Sequence, residues 1–507
     1  MFGEYVFEKS NAAYEQKVLL LDDDGLEHIT HYASVFAAQG FEIVPYKDDL
    51  SFRLSYTEVM NDKNRKLAII GTSKDYIPYD VMRRASSFRV TYRNLFPKLN
   101  DKVLTSKNPD LDLLTFAYRQ SFDNYTSKEE TEQFLRNAVY GRDNLQSFLH
   151  AQVTDLEAKA SDCNSYRAWF GIAEEKAKLE VMAAENHIAL ESSEISRSFQ
   201  EWVLQKFGTL STEINHDSPV LVSRAMEFMH DSSDKYAVIV VDGMSEFDWR
   251  ILSRSFNDIS YEKTSVFAMI PTVTSVSRQC LLSNKYPTQL QNPWSQAKEK
   301  NEFIACAKSL GYNDSQIAYA RGYDADIDNA VRCAAVIVMD IDDLVHGQIQ
   351  GREGMANDIG LLAHKSQLAE TVKRLSSRGF DVYITADHGN THCKGLGRLV
   401  GSGVEAETRS HRMVALKDIA DADGIKARFG MIEYPKYYLP KNLNYLMCDV
   451  GTSLDVKNED VMSHGGMEID EVIVPFIKIK AVKQNEDGRI CPLIETVMVE
   501  LCGRNTQ

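Results

Sequence analysis

The sequence predicts an α/β protein in which a largely parallel β-sheet lies between helices. Three apolar runs after residue 236 lead to this prediction, AVIVVDGMS, VIVMDIDDLVH and DVYITADHGN, and each ends directly in polar residues. Continuous apolar strands are typical of parallel sheets that are covered by helices on both faces. The polar residues should then gather beyond the carboxyl ends of the strands, which is where sites form in such sheets.

Composition and charge narrow the class of protein. The chain of 507 residues carries a net charge of −16, which argues against a generally basic nucleic-acid-binding surface but not against a local basic groove. Its N-terminus lacks the features of a signal peptide, and no apolar run reaches the roughly 20 residues that span a bilayer. The eight cysteines form no Cys-x-x-Cys pair. We therefore expect a cytoplasmic protein with reduced thiols and no membrane association.

The sequence divides into three predicted domains. Residues 1–105 alternate the apolar runs KVLLLDD, GFEIVPY and KLAIIGTS with helix-length segments, which predicts a small parallel α/β domain. Residues 106–232 have apolar residues at helical spacing, which predicts a helical linker or bundle, with a capping box at Ser127 and Glu130. Residues 233–507 contain the three apolar runs and form the predicted catalytic domain, with a last strand expected at LIETVMVEL.

The first domain is similar to a response-regulator receiver in one respect. Asp22, Asp23 and Asp24 follow the first predicted strand, as do the carboxylates of a receiver's acidic pocket. A receiver also needs an aspartate after its third strand that accepts the phosphoryl group. This chain has Gly-Thr-Ser at that place. We therefore expect a receiver-like fold that is not phosphorylated.

A basic cluster near the end of the first domain stands out in an acidic chain. It contains Arg83, Arg84, Arg89, Arg93 and Lys98. Contact with nucleic acid is one interpretation of this cluster, because affinity for phosphate backbones comes from Lys and Arg. A domain interface or a face paired with carboxylates is the favoured alternative.

Asp387 and His388 stand side by side where the run DVYITADHGN ends. One oxygen and one nitrogen ligand suit Zn²⁺ or Mn²⁺ better than Mg²⁺ or Ca²⁺, which prefer oxygen ligands. Asp242 ends another predicted strand and could complete a metal site with this pair.

A second metal site is predicted from residues farther along the chain. Asp342 and His346 are four residues apart and would share one face of a helix, and His464 lies beside two glycines before another strand. Between two such sites a hydroxyl nucleophile is needed. The segment PTVTSVSR offers four candidates: Thr272, Thr274, Ser275 and Ser277.

Taken together, these motifs resemble the alkaline phosphatase superfamily and, more narrowly, the PglZ domain. The segments VVDGMS, IPTVTSVSR, DDLVHG, TADHGN and SHGGMEIDEVIVPF each resemble the PglZ pattern and occur in the expected order. The segment YIPYDVMRRASSFRVTYRNLFPKL is also similar to the one that closes PglZ N-terminal domains. The resemblance implies an alkaline-phosphatase-like catalytic domain preceded by the receiver-like and helical regions.

The resemblance also implies a set of site residues. It assigns one divalent ion to Asp242, Thr274, Asp387 and His388, and a second ion to Asp342, His346 and His464. Zn²⁺ is the expected metal and Mn²⁺ is the alternative. Thr274 holds the threonine position of Pro-x-x-Thr and is the expected nucleophile, with the adjacent Ser275 as the alternative. Apart from the resemblance, Arg278 and Arg398, the latter with Lys394 in a glycine-rich stretch, are candidates for phosphate binding, with surface solvation as the alternative. Ser275 and His392 are further candidates for a substrate contact.

The function implied is a two-metal phosphohydrolase of the BREX type of bacterial phage defence. The expected substrate is a phosphodiester, either DNA or a nucleotide, and protein partners in a defence complex are expected. A phosphomonoesterase of the same fold is the first alternative. A catalytically weak interaction subunit is the second. A sulfatase is disfavoured, because PTVTSVSR lacks the Cys/Ser-x-Pro-x-Arg context that sulfatases need.

Overall fold

The computed structural model describes residues 1–399, 404–407, 411–417 and 422–481. The chain divides into two compact units, Met1–Ala151 and Gln152–Gln507. The helices predicted between residues 106 and 232 are therefore shared between the two units. The last predicted strand, LIETVMVEL, lies outside the described residues.

The N-terminal unit combines four strands with short helices. Its strands are β1 (Lys17–Leu21), β2 (Phe41–Pro45), β3 (Lys66–Gly71) and β4 (Ser86–Arg89). Its helices are α1 (Phe2–Lys9), α2 (Leu26–Thr30), α3 (Ala33–Ala38), α4 (Asp49–Asn61), α5 (Tyr79–Arg84), α6 (Tyr92–Leu95), α7 (Asp101–Lys107), α8 (Leu111–Gln120) and α9 (Lys128–Phe134). The predicted capping box of α9 is confirmed, because Ser127 Oγ accepts from the Glu130 N–H at 3.2 Å and Glu130 Oε2 accepts from the Ser127 N–H at 3.1 Å.

The four strands of this unit are parallel and lie in the order β2–β3–β1–β4. The three strands predicted from apolar runs are confirmed as β1, β2 and β3. Receiver domains have the strand order 2-1-3-4-5. The predicted likeness to a receiver therefore extends to parallel strands that end in carboxylates, but not to the order of the strands.

The carboxylates after β1 hold the surrounding loops. Each accepts a hydrogen bond from a backbone N–H: Asp22 from Leu26 at 2.8 Å, Asp23 from Ser73 at 2.7 Å, and Asp24 from Tyr92 at 2.7 Å. Buried or half-buried N–H groups need such partners, because an unpaired one is costly. The acidic cluster thus has a structural use that requires no phosphorylation.

The second unit contains the remaining elements, and helix α10 (Arg142–Ser161) includes the boundary between the units. Its helices are α11 (Tyr166–Glu185), α12 (Ser193–Lys206), α13 (Ala225–Ser232), α14 (Glu246–Leu252), α15 (Thr274–Ser283), α16 (Glu299–Ser309), α17 (Asp340–Gly347), α18 (Gly351–Lys365), α19 (Gln367–Ser377), α20 (Ala422–Phe429) and α21 (Ile469–Val472). Its strands are β5 (Tyr236–Val241), β6 (Glu262–Phe267), β7 (Ile317–Arg321), β8 (Cys333–Val338), β9 (Asp381–Thr385), β10 (Thr391–Gly395), β11 (Val404–Glu407), β12 (Met413–Leu416), β13 (Ile432–Glu433), β14 (Asn444–Met447), β15 (Thr452–Ser453), β16 (Asp460–Ser463) and β17 (Ile473–Ile479).

A six-stranded sheet forms the centre of the second unit, in the order β6–β17–β9–β5–β8–β7. Strands β7, β8, β5 and β9 are parallel, and β17 is antiparallel to both β6 and β9. Every residue of β5 and β8 is buried, which explains why these strands are continuously apolar in the sequence. The predicted parallel-rich sheet is confirmed.

Two smaller sheets complete the second unit. Strand β10 lies between β15 and β16, and a four-stranded sheet has the order β11–β12–β14–β13. Among the described residues, no helix has the length and apolar character that crossing a bilayer would require.

Candidate functional site

The register of the central sheet brings three strand ends together. Strand β5 pairs in parallel with β8 on one side and β9 on the other, so the residues that follow these strands lie at one edge. Asp242 follows β5, and Asp387 follows β9 after one alanine. Gly243 has φ of +75°, a left-handed conformation that glycine adopts without strain. It turns the chain sharply after Asp242.

The first group of candidate ligands contains Asp242, Asp387 and His388. One ligand atom from each lies within 4.8 Å of the others, and all three residues are buried. The Thr274 hydroxyl is close by, because its Oγ1 lies 3.0 Å from His388 Nε2 and 3.5 Å from Asp242 Oδ1. Gly389 allows this packing, since a Cβ there would lie 1.9 Å from the Asp470 carbonyl oxygen.

The second group contains Asp342, His388 and His464, again with ligand atoms within 4.8 Å of one another. His464 Nε2 lies 3.4 Å from Asp342 Oδ1, and the His388 and His464 rings stack with centroids 4.0 Å apart. His346 Nε2 lies 3.4 Å from Asp342 Oδ2, so this histidine stands beside the group on helix α17. His388 therefore belongs to both groups, whereas the resemblance assigned it to one ion.

Backbone carbonyls orient two of the imidazoles. His464 Nδ1 lies 2.8 Å from the Thr272 carbonyl oxygen, and His388 Nδ1 lies 3.0 Å from that of Gly389. A carbonyl can only accept, so each Nδ1 carries the proton and donates it. Each Nε2 then has a free electron pair, as a metal ligand needs.

The two groups fit divalent cations. Three of their buried atoms have no hydrogen-bond partner among the residues that the structure describes: Asp342 Oδ1, Asp387 Oδ2 and His464 Nε2. A buried polar atom without a partner is costly, and unpaired ones often indicate an ion or water. All three are electron-pair donors of the kind that Zn²⁺ and Mn²⁺ bind.

The protonation behaviour of the site leads to the same interpretation. Burial, together with the neighbouring Asp242, raises the pKa of Asp387 well above its ordinary value, although Arg278 acts in the opposite direction. Burial lowers the pKa of His464 to about 3, so its imidazole is neutral at pH 7. Neutral imidazoles bind metals, and a cation would stabilise the charge on these buried carboxylates.

Comparison with known families identifies the domain that contains these residues. The family model described as the BREX system PglZ alkaline phosphatase-like domain matches residues 222–479, about half of the chain. The chain belongs to the PglZ family. This confirms the family, and with it the alkaline-phosphatase-like fold, that the sequence motifs indicated. The match supports the interpretation of this domain as a phosphoesterase of the alkaline phosphatase superfamily. Among curated proteins, none matches this chain.

Solved structures similar to this PglZ protein include three of ectonucleotide pyrophosphatase / phosphodiesterase 5. The murine protein is 13% identical with a TM-score of 0.33, over 48% of this chain and 88% of its own. An inactive murine variant in complex with AMP is 11% identical with a TM-score of 0.35, over the same shares. The human protein is also 11% identical with a TM-score of 0.35, over 48% of this chain and 87% of its own. Matches this distant carry no conclusion about chemistry.

Arg278 lies on the buried side of the PglZ site. Its side chain is fully buried, and Nη1 donates to Asp242 Oδ2 while Nε donates to Glu299 Oε2 at 2.8 Å. Nη1 also lies 3.8 Å from Asp387 Oδ2. Two buried carboxylates next to each other need such a compensating cation. The guanidinium has no exposed surface, and the substrate contact expected of Arg278 stays a prediction.

The other predicted substrate contacts are spread more widely. Ser275 follows Thr274 on helix α15 and is half-buried. His392 is exposed on β10, with Nε2 3.5 Å from Asp460 Oδ1, and Arg398 is exposed beyond that strand. In the described part of the chain, neither His392 nor Arg398 hydrogen-bonds or ion-pairs with either ligand group.

Three residues hold the backbone around the candidate ligands, and the sequence did not predict this role for them. Thr272 Oγ1 accepts from the Gly465 N–H at 3.0 Å, and the Ser277 hydroxyl donates to the Asp387 carbonyl oxygen at 2.5 Å. Asn390 Nδ2 donates to the Gly243 carbonyl oxygen at 2.9 Å. Thr272 and Ser277 were candidate nucleophiles, yet their hydroxyls fix the backbone around the ligands. The sequence offered one indication of this supporting role, which is that both residues lie close to Thr274 in the chain.

Proposed function

We propose that this PglZ protein is a two-metal-dependent phosphodiesterase that uses Thr274 as its nucleophile. The observation that supports this most strongly is the convergence of two ligand groups beside the Thr274 hydroxyl. Asp242, Asp387 and His388 would hold one ion, and Asp342, His464 and His346 the other, with His388 within reach of both. Bound divalent ions would supply Lewis-acid stabilisation of the developing charge at phosphorus.

Thr274 is well placed to attack. It is the first residue of helix α15, where the helix dipole favours negative charge on the hydroxyl oxygen. In the proposed first step, Thr274 Oγ1 forms a bond to phosphorus, and the bond from phosphorus to the leaving oxygen breaks. Water then attacks the phosphothreonine and releases Thr274. Ser275 stays the alternative nucleophile.

The charges around Thr274 favour a diester over a monoester. The arginine that pairs with Asp242 and lies 3.8 Å from Asp387 is Arg278, and it is buried behind Asp242. A monoester carries up to two negative charges at neutral pH, and enzymes usually match that charge with exposed Arg or Lys. A diester carries one charge, which bound cations and the start of α15 can balance.

The wider role is also proposed. The family description names the BREX system, which supports a part in bacterial phage defence, with DNA or a nucleotide as substrate and with protein partners. Zn²⁺ is the proposed metal, with Mn²⁺ as the alternative, because the ligands mix carboxylate and imidazole. The cytoplasmic location stays a prediction from the sequence. A purely scaffolding role is disfavoured by the complete ligand set around Thr274.

The test combines metal analysis with hydrolysis of model esters. Bis-para-nitrophenyl and mono-para-nitrophenyl phosphate are compared for the wild type, Thr274→Ala, Asp387→Ala and the control Thr209→Ala, which removes an exposed hydroxyl elsewhere in the same unit. We expect bound metal and faster diester cleavage in the wild type and the control. Thr274→Ala should lose activity but keep its metal through the carboxylate and imidazole ligands, and Asp387→Ala should lose activity and the ion of its own group. A wild type without metal or activity contradicts the proposal.

A further inference from the structure

A basic pocket lies in the N-terminal unit, where strands β1 and β4 end. It has a volume of about 460 Å³, and its lining includes Arg89, Arg93 and Lys102. Arg89 is the last residue of β4, Arg93 belongs to α6, and Lys102 belongs to α7. The volume is within the range of small-molecule sites, and in open α/β sheets ligands bind outside the carboxyl ends of the strands.

The three cationic side chains of this pocket are exposed, and no described carboxylate pairs with them. In the part of the chain that the structure describes, none of them makes an ion pair or a side-chain hydrogen bond. The contrast within the same unit is clear, because Arg53 and Arg65 each pair with a carboxylate. In a chain with a net charge of −16, three unpaired cations around one cavity leave a local site for an anion.

Two carboxylates also line the pocket, but each already accepts a backbone hydrogen bond. Asp24 Oδ2 accepts from the Tyr92 N–H at 2.7 Å, and Asp101 Oδ1 accepts from the Lys102 N–H at 2.8 Å. These bonds fix the loop and helix that carry the cations. The carboxylates therefore support the pocket wall and leave it with an excess of positive charge.

We propose that this pocket binds the phosphoryl group of a small ligand of about mononucleotide size. Guanidinium groups bind phosphate oxygens through paired N–H donors, and Arg89 with Arg93 supplies two such groups beside the Lys102 ammonium. The Thr91 side chain in the same wall adds a hydroxyl. The site is distinct from the metal centre, whose residues all belong to the second unit.

The structure favours a small ligand over a nucleic-acid backbone. A polymer would be held by a continuous basic surface, whereas two members of the basic cluster, Arg84 and Lys98, already donate hydrogen bonds outside the pocket. Arg84 donates to Asn61 Oδ1 at 2.6 Å, and Lys98 Nζ donates to the carbonyl oxygen of Phe122 at 3.1 Å. Of that cluster, only Arg89 and Arg93 line the pocket.

Calorimetric titration of the full chain tests the proposal. The protein is treated with EDTA, so that phosphate does not bind through metal ions, and is titrated with inorganic phosphate and with AMP. The variant Arg89→Ala/Arg93→Ala is compared with Arg65→Ala/Arg84→Ala, which removes the same charge from exposed arginines outside the pocket. We expect the Kd to rise about tenfold or more in the pocket variant and to change little in the control, because each lost guanidinium removes charge-assisted hydrogen bonds.

Each outcome of the titration decides the proposal. Binding of both phosphate and AMP supports the proposal, whatever the ratio of their affinities. Tighter binding of AMP would indicate that the pocket also contacts the nucleoside. Absence of binding at millimolar ligand, equal weakening in the control, or loss of binding in Asp387→Asn overturns it. Binding confined to oligonucleotides with a steep salt dependence also overturns it, in favour of a nucleic-acid surface. If the double variant has a lowered Tm, Lys102→Gln provides the same comparison.

Discussion

Replacement of Arg278 by methionine distinguishes a supporting role of this residue from a substrate contact. Methionine fills much of the same space but carries no charge. In the variant, Asp242 and Glu299 would both be buried without their common cation, since Nη1 pairs with Asp242 and Nε with Glu299. We therefore expect a loss of stability rather than a selective loss of substrate affinity.

The expected loss follows from the burial of the three side chains. Arg278 and Asp242 are completely buried and Glu299 is 2% exposed. Removing one partner of a buried ion pair costs about 3–5 kcal/mol. At about 2 °C per kcal/mol for a large domain, the Tm should fall by about 6–10 °C. Bound metal would partly compensate Asp242, so the fall should be larger in EDTA than with Zn²⁺.

Thermal unfolding with and without EDTA measures this effect. Arg250→Met is the control, because Arg250 is exposed in the same unit and its loss should change stability by at most about 0.5 kcal/mol. The double variant Arg278→Met/Glu299→Gln removes one of the two stranded charges and should recover part of the Tm. An unchanged Tm together with a raised KM for the model diester would refute this reasoning and restore Arg278 as a substrate contact.

Three further predictions concern the metal ions and a buried carboxyl group. His388→Ala should lower the zinc content measured by elemental analysis by more than one ion per chain, whereas His346→Ala should lower it by at most one, because only His388 belongs to both groups. EDTA should lower the Tm of the wild type by more than that of Asp387→Asn, because Asp387 belongs to one of the two groups and the variant keeps the ligands of the other. Burial raises the pKa of Glu27 from 4.5 to about 7, so its contribution to stability is present below pH 4.5 and is lost as the pH rises through 7. Glu27→Gln should therefore have a higher Tm than the wild type at pH 8 and a similar Tm at pH 4.5, and a Tm difference independent of pH would contradict this assignment.

The central sheet could be predicted because its strands are buried on both faces. An apolar run such as AVIVV has no polar position that could face water, which favours a central parallel strand. The order of the strands within each sheet could not be predicted from the sequence. Strand β17 lies between β6 and β9 although it is the last described strand of the chain, and β3 lies between β1 and β2. Such choices depend on packing between distant segments, which periodicity does not encode.

The site residues could be found one at a time because they follow strands. Asp242, Asp387 and His388 were predicted as one group, and the structure brings them together. The position of His388 between two groups could not be predicted, because it depends on a ring stacking against His464 from a distant loop. Ser277 and Thr272 illustrate the same limit, since the direction of a hydroxyl at a strand-to-helix turn depends on its partners.

The burial of Arg278 has a consequence for the proposed catalysis. Because its guanidinium is buried and pairs with Asp242 and Glu299, we expect it to balance those carboxylates first and a bound phosphate ester less. Most of the positive charge that faces Thr274 should then come from bound cations and from the start of helix α15. Removal of metal should therefore weaken substrate binding as well as the chemical step. An enzyme with an exposed arginine beside its nucleophile would keep part of its affinity, so inhibition by a non-hydrolysable diester measured with and without EDTA separates the two arrangements.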